Sequence, residues 1–273
     1  MWTRKHLTDH LAALGVAPGD VVMVHASLRA IGEVAGGPDE VHLAIKDAVG
    51  PNGTMLMYAS CPAYVDEVGR GNLTPEQEAE VLEKLPAFDA YTARSARDNG
   101  ALVELFRTYP GSRVNEHPTR FVVWGKASDY LLSHQPWDFA FGKGSLLERF
   151  IELHGKILLL GSDHDNVTFL HYAEHVVDYP GKRIARFRVP ILEHGRKVWK
   201  EMAEVDTSDG GAHANWPEGF FATIVDEFLY STGNVGGHVG GAQSYLLDAN
   251  ALLELAESIM RTVASDGKAP RTA

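Results

Sequence analysis

Thr168, His171, Glu174 and His175 recur at spacings of three and four. On an α-helix such residues share one face. The face is not a core stripe, because Phe169, Leu170, Ala173 and Val176 supply the apolar side. A histidine next to a carboxylate can take a proton from a nucleophile and hold the resulting charge, and a nearby hydroxyl can donate to a developing oxyanion. The stripe follows the apolar run Lys156-Ile157-Leu158-Leu159-Leu160-Gly161 and the polar turn Ser162-Asp163-His164-Asp165-Asn166. In open α/β sheets ligands gather outside the carboxyl ends of strands, so the place suits a site. Asp165 or Asn166 is expected to cap the helix that follows.

A second chemistry fits the same residues. His171-Tyr172-Ala173-Glu174-His175 matches the H-x-x-E-H pattern of inverted zinc peptidases, with Glu254 or Glu257 as the third ligand. A five-residue pattern in a chain with 13 histidines carries little weight alone, and spacing does not choose between proton transfer and zinc chemistry.

Composition narrows the setting. The 273 residues are 45% hydrophobic, enough for one large folded domain. A formal net charge of -11 disfavours nucleic acid and anionic membrane surfaces and favours a cationic partner. The single cysteine, Cys61, excludes an intrachain disulfide or a thiolate zinc cluster. The first ten residues have no apolar signal region, and no stretch approaches the roughly 20 apolar residues of a membrane helix. A soluble cytoplasmic protein, monomer or homodimer, is expected.

The elements that must position the stripe read as α/β. Helices are expected over 3–14, 39–49, 98–108, 126–133, 145–153, 167–177, 218–230 and 248–263. Buried strands are expected at 21–25, 54–58, 121–124 and 156–161, with a hairpin over 183–205 turning at His194-Gly195. The fold class is a single α/β domain, a mixed central sheet flanked by helices, with an irregular insertion over 60–97 that holds a short helical piece near Pro75. The domain spans 1–264, and 265–273 form a loose tail.

Several segments together resemble the aminoglycoside 3-N-acetyltransferase family. They are Val24-His25-Ala26-Ser27-Leu28-Arg29-Ala30-Ile31-Gly32 followed by Gly36-Gly37; Glu116-His117-Pro118; Gly142-Lys143-Gly144-Ser145 followed by Glu148-Arg149-Phe150; Leu158 to Gly161 with Asn166 to Glu174; and Val239-Gly240-Gly241-Ala242-Gln243-Ser244-Tyr245. They occur in the family's order from about Arg4 to Ala251, and their combination decides against the zinc peptidase.

The resemblance implies an α/β fold unlike the GNAT acetyltransferases. It implies acetyl-coenzyme A as co-substrate, no metal, and acetylation of the 3-amine of 2-deoxystreptamine, a reaction that confers aminoglycoside resistance. The alternative is acyl transfer to a different amine. The resemblance places the catalytic base on His171 and an acidic partner in the segment after the hairpin, where Asp206 is favoured over Glu204; Glu174, one turn from His171, is the other candidate. Thr168 either donates to the oxyanion or bonds its own helix. Coenzyme A is expected at Ser27, Leu28, Arg29, Gly36, Gly37 and Ser145. A polycationic aminoglycoside is expected against Tyr64, Asp66, Glu67, Asp89, Glu204 and Asp209, with Trp216 either a sugar platform or core. Ser145-Leu146-Leu147 and Thr119-Arg120 depart from the family's usual residues, and these departures bear on the exact antibiotic more than on the reaction.

Overall fold

A computed structural model describes residues 1–61, 73–206 and 216–266. The strands are β1 (Val21–Ala26), β2 (Thr54–Tyr58), β3 (Arg113–Val114), β4 (Phe121–Gly125), β5 (Lys156–Leu160), β6 (Ile184–Glu193), β7 (Arg196–Val205), β8 (Gly237–Val239) and β9 (Ala242–Asp248). The helices are α1 (Arg4–Leu14), α2 (Leu28–Ile31), α3 (Asp39–Val49), α4 (Pro75–Lys84), α5 (Ala101–Thr108), α6 (Ser128–Leu131), α7 (Leu146–Glu152), α8 (Leu170–Val176), α9 (Phe220–Thr232) and α10 (Ala249–Asp266).

The main sheet has the order β3-β4-β2-β1-β5-β9-β8. Its centre, β2-β1-β5, is parallel, and the strands on both flanks run antiparallel. The sheet is therefore mixed, as expected. Its continuous apolar strands are explained by burial on both faces. Val22, Val24, Met55, Leu158 and Leu160 pack into one core with residues of α1, α3 and α5. Val21, Met23, Leu56, Ile157 and Leu159 alternate into the other, with residues of α7, α8, α9 and α10. Each fully buried side chain of this size contributes roughly 1.5–3 kcal/mol relative to exposure.

Strands β6 and β7 form a separate two-stranded sheet. His194 (φ 49°) and Gly195 (φ 74°) make its turn, the left-handed pair that matches the twist of a tight hairpin. The hairpin packs Val189, Ile191 and Met202 on Cys61, Phe88, Ala90 and Ala93 in a third core. Arg120, fully buried, ties this insertion to the main sheet: its guanidinium donates to the carbonyls of Ala59 (3.0 Å), Ala90 and Ala93 (2.9 Å). Cys61 is buried, and burial pushes its thiol pKa up, which makes it inert.

Some expected boundaries move. The helix expected over 98–108 is a 3-10 turn, Arg97–Asn99, then Gly100 at φ 81°, then α5. The helix expected from 167 starts at Leu170, and that expected over 126–133 is only α6. The glycine-rich 233–241 and the run after it hold β8 and β9, which complete one sheet edge. α10 runs to Asp266, past the expected start of the tail. Among the described residues no helix is long and apolar enough to cross a membrane.

Burial also sets an acid limit. The imidazoles of His25, His42 and His117 are lowered to about 4 by desolvation, reinforced at His42 by the Lys46 charge. An unfolded histidine titrates near about 6.5, so the unfolded chain binds more protons between that value and the folded one. Stability is therefore complete above about pH 6.5 and is lost as pH falls towards about 4. The melting temperature is expected to decline steadily across this window; a flat Tm would refute the buried neutral state.

Candidate active site

The parallel strands β1, β2 and β5 end on the same side of the sheet. A cavity of about 230 Å³ opens there. Its wall takes His25 and Ala26 from β1, Tyr58 from β2, and Ser162, Asp165, Asn166 and Thr168 from the chain leaving β5; Asp98, Asn99 and Gly100 also line it. Gly161 lets the chain turn at this edge. Its φ is 62°, and a Cβ there would come within 2.5 Å of Ala30 Cβ and 2.9 Å of Ala242 Cβ. The following 3-10 turn, His164–Asn166, is capped by Asp163, whose carboxylate accepts the Asp165 N–H at 2.9 Å. The helix that follows, α8, has Phe169 at its N-cap position and no side-chain cap, so neither Asp165 nor Asn166 caps it as expected. Asp165 instead accepts the N–H of Ala222 at 3.2 Å, holding the turn to α9.

His171 stands at the second position of α8. Its Nδ1 lies 2.5 Å from Glu174 Oε2. A carboxylate only accepts, so in the neutral ring the proton belongs on Nδ1 and the lone pair on Nε2. Nε2 makes no hydrogen bond to any described residue. The Glu174 side chain is 3% exposed and that of His171 27%, so the ring is fixed at its inner edge and open outside. Phe141 and Phe221 hold the ring, with centroids at 4.9 and 5.0 Å. His171 is not itself in the cavity wall. Two links join it there: its N–H donates to the Thr168 carbonyl at 3.1 Å, and Tyr58 of the wall packs on Phe141 at 5.6 Å.

Thr168 precedes α8 rather than lying within it. Its hydroxyl has no partner among the described residues, and the residue lines the cavity. No hydrogen bond from this hydroxyl to its own helix is present among the described residues.

The carboxylate on His171 is Glu174, in place of the favoured Asp206. Asp206 directly follows β7, and its backbone N–H donates to the Arg183 carbonyl at 2.9 Å. Glu204, expected to face substrate, hydrogen-bonds His175 Nε2 through Oε1 and accepts the Ala140 N–H at 2.9 Å through Oε2. Both Asp89 oxygens close its own turn, accepting from Tyr91 N and Thr92 Oγ1 at 2.9 Å, which lowers its pKa. Ser145 is fully buried as the N-cap of α7 and accepts from Leu147 and Glu148, so its hydroxyl is a structural cap and not an open coenzyme contact. Ser27 caps α2 directly after the cavity-lining Ala26, with Leu28 and exposed Arg29 next along the chain. Gly36 and Gly37, both at positive φ, form the turn before α3, where the Gly37 N–H is taken by the Val34 carbonyl. Trp216 is 6% exposed and packs on Tyr179 and Phe220, a core residue and not a sugar platform. Tyr64, Asp66, Glu67 and Asp209 lie outside the described residues.

Phe141 and Phe221 escape a reading of the sequence because lone phenylalanines read as core. Asp98 and Asn99 are hidden inside an expected helix.

The zinc arrangement does not assemble from these residues. His171 and His175 each face a different glutamate, Glu254 is exposed, and Glu257 pairs with Arg261 at 3.1 Å. Among the described residues no group of three His, Cys, Asp or Glu is placed to hold a metal ion.

The family profile described as aminoglycoside 3-N-acetyltransferase matches residues 23–261. Aminoglycoside N(3)-acetyltransferase III of Pseudomonas aeruginosa is 35% identical over 258 residues, 93% of this chain and 92% of that protein. Among solved structures, AAC-IIIb in its binary complex with CoASH superposes with a TM-score of 0.88 at 38% identity, covering 98% of this chain and 99% of the other. AAC-VIa bound to sisomicin gives 0.87 at 34% identity, covering 97% and 99%. The fold, the order of the motifs and these likenesses agree: the chain belongs to the aminoglycoside 3-N-acetyltransferase family.

Proposed function

We propose that this protein transfers the acetyl group of acetyl-coenzyme A to the 3-amine of a 2-deoxystreptamine aminoglycoside, with His171 as general base, and so confers resistance to such antibiotics. The observation that carries this reading is the buried Glu174 carboxylate on Nδ1 of a ring whose Nε2 is open. That arrangement is built to accept one proton and stabilise the imidazolium that results.

A protonated amine has no lone pair to attack with. One proton is therefore shed to solvent first, and His171 Nε2 removes the second as the neutral amine nitrogen bonds to the thioester carbonyl carbon. The carbonyl oxygen becomes an oxyanion, to which the Thr168 hydroxyl donates. Collapse reforms the carbonyl, breaks the carbon–sulfur bond and releases coenzyme A as thiolate, which the His171 proton neutralises. The cavity at the strand ends, beside Ser27, Leu28 and Arg29, takes the acyl-pantetheine arm. The relative solved with CoASH and the one solved with sisomicin support the two substrate classes. The net charge of -11 favours a polycation.

The test is thiol release and product mass on mixing protein, acetyl-coenzyme A and a panel of deoxystreptamine aminoglycosides and other amines. One added acetyl group on the 3-amine is expected. Turnover only with unrelated amines would leave acyl transfer standing and remove the antibiotic; no turnover with any amine would remove both.

A further inference from the structure

We propose that His175 is a positioning residue for His171, acting with Glu204 as a clamp between α8 and the β6–β7 hairpin. The proposal rests on His171 being the base.

Both ring nitrogens of His175 face oxygens. Nδ1 lies 2.6 Å from the His171 carbonyl, and Nε2 meets Glu204 Oε1. The His175 side chain is 2% exposed and that of Glu204 13%. Two acceptors demand two protons across the pair, so the ring is an imidazolium or Glu204 carries the second proton. In either state a buried pair ties the backbone of the proposed base to β7. An apolar or surface role for this histidine explains neither bond.

The clamp also reaches the other side of the His171 ring. Glu204 Oε2 accepts the Ala140 N–H at 2.9 Å. The Phe139 N–H donates to the Ala203 carbonyl at 2.7 Å, and Asp138 accepts the Ala203 N–H at 2.7 Å. Residues 138–140 are thereby laced to β7, with Phe139 held at φ 55°, a left-handed conformation rare for a bulky residue. The next residue is Phe141, whose ring packs on His171 at 4.9 Å and on His175 at 5.9 Å. Gly142 lies close against this arrangement, since a Cβ there would lie 3.2 Å from the Phe139 carbonyl oxygen and 3.3 Å from His175 Cβ. His171 is thus gripped through its carbonyl by His175 and across its face by Phe141, and Glu204 anchors both. Neither Glu204 oxygen is left uncommitted, which argues for positioning over substrate contact.

The test compares wild type, His175→Phe, His175→Gln and Glu204→Gln by kcat, KM for each substrate, and melting temperature. His175→Phe keeps a flat aromatic ring, somewhat larger, and removes both bonds; kcat is expected to fall about 10–100-fold, as for sub-ångström to ångström misplacement of a reacting group, with KM for acetyl-coenzyme A unchanged. His175→Gln retains an amide donor towards Glu204 and is expected to recover part of kcat. Glu204→Gln keeps the acceptor for Ala140 and is expected to lower kcat rather than raise KM for the amine. Wild-type kcat in His175→Phe, or an effect of Glu204→Gln confined to the amine KM, would overturn the clamp. Where His175→Phe does not fold, the kcat-against-KM split of Glu204→Gln decides. An inactive wild type, or a fully active His171→Asn, would instead remove the underlying role of His171.

Discussion

His171→Asn is expected to lower turnover by about 10²–10⁴-fold, the usual worth of a positioned general base, while coenzyme A binding survives. Asparagine is the informative replacement. Glu174 is buried at 3% side-chain exposure, so alanine at 171 would strand a carboxylate away from solvent. Leaving a buried acceptor without its donor typically costs about 1–3 kcal/mol, more when it is charged, and loss of activity by unfolding would then mimic loss of the base. The asparagine amide keeps a donor for Glu174 and has no basic nitrogen. Its melting temperature should stay close to wild type, and His171→Ala should melt earlier. Because the proton is removed only as the bond forms, kcat is expected to fall with the KM values little changed. Calorimetric coenzyme A binding and steady-state thiol release check both halves. An asparagine variant with wild-type kcat would exclude His171 as the base.

Glu174→Gln should be nearly as damaging, about 10²–10⁴-fold in kcat, with the fold intact. The glutamine is isosteric, and burial of a neutral amide costs less than burial of a charge. Two effects act on His171. The negative charge that stabilises the imidazolium in the transition state is gone. The amide N–H₂ can also donate to Nδ1, which shifts the ring proton to Nε2 and removes the lone pair that faces the amine. The equivalent carboxylate-to-amide substitution in the serine-protease triad loses about 10⁴-fold by the same wrong tautomer. Asp206→Asn serves as the internal comparison and is expected to leave kcat far closer to wild type. A large loss in Asp206→Asn with little in Glu174→Gln would return the orienting role to Asp206. The two variants together therefore test the one catalytic contact in which sequence and structure disagree.

That disagreement has a physical origin. A glutamate three residues after a histidine is ordinarily a solvated helix-surface pair worth a few tenths of a kcal/mol. Nothing local distinguishes that case from a buried dyad. The distinction comes from tertiary packing around α8, which leaves Glu174 only 2% exposed. Glu204 and His175 are 29 residues apart and meet only because the hairpin folds back beside α8. Ser145 illustrates the converse: a serine in a family-like motif suggested a ligand contact, and its N-cap geometry made it structural.

By itself the sequence determined the layer architecture, the four apolar strands, the hairpin turn at His194-Gly195, the family, and the short stretch in which Thr168, His171 and Glu174 stand together. These are legible because they depend on near-neighbour periodicity, turn chemistry and ordered motifs. Tertiary structure alone decided which carboxylate touches His171, that Phe141 and Phe221 hold its ring, that Glu204 belongs to His175, and that the open side of the sheet carries a cavity ending at Thr168. Each depends on burial and on contacts between residues distant in the chain, and neither is encoded in spacing.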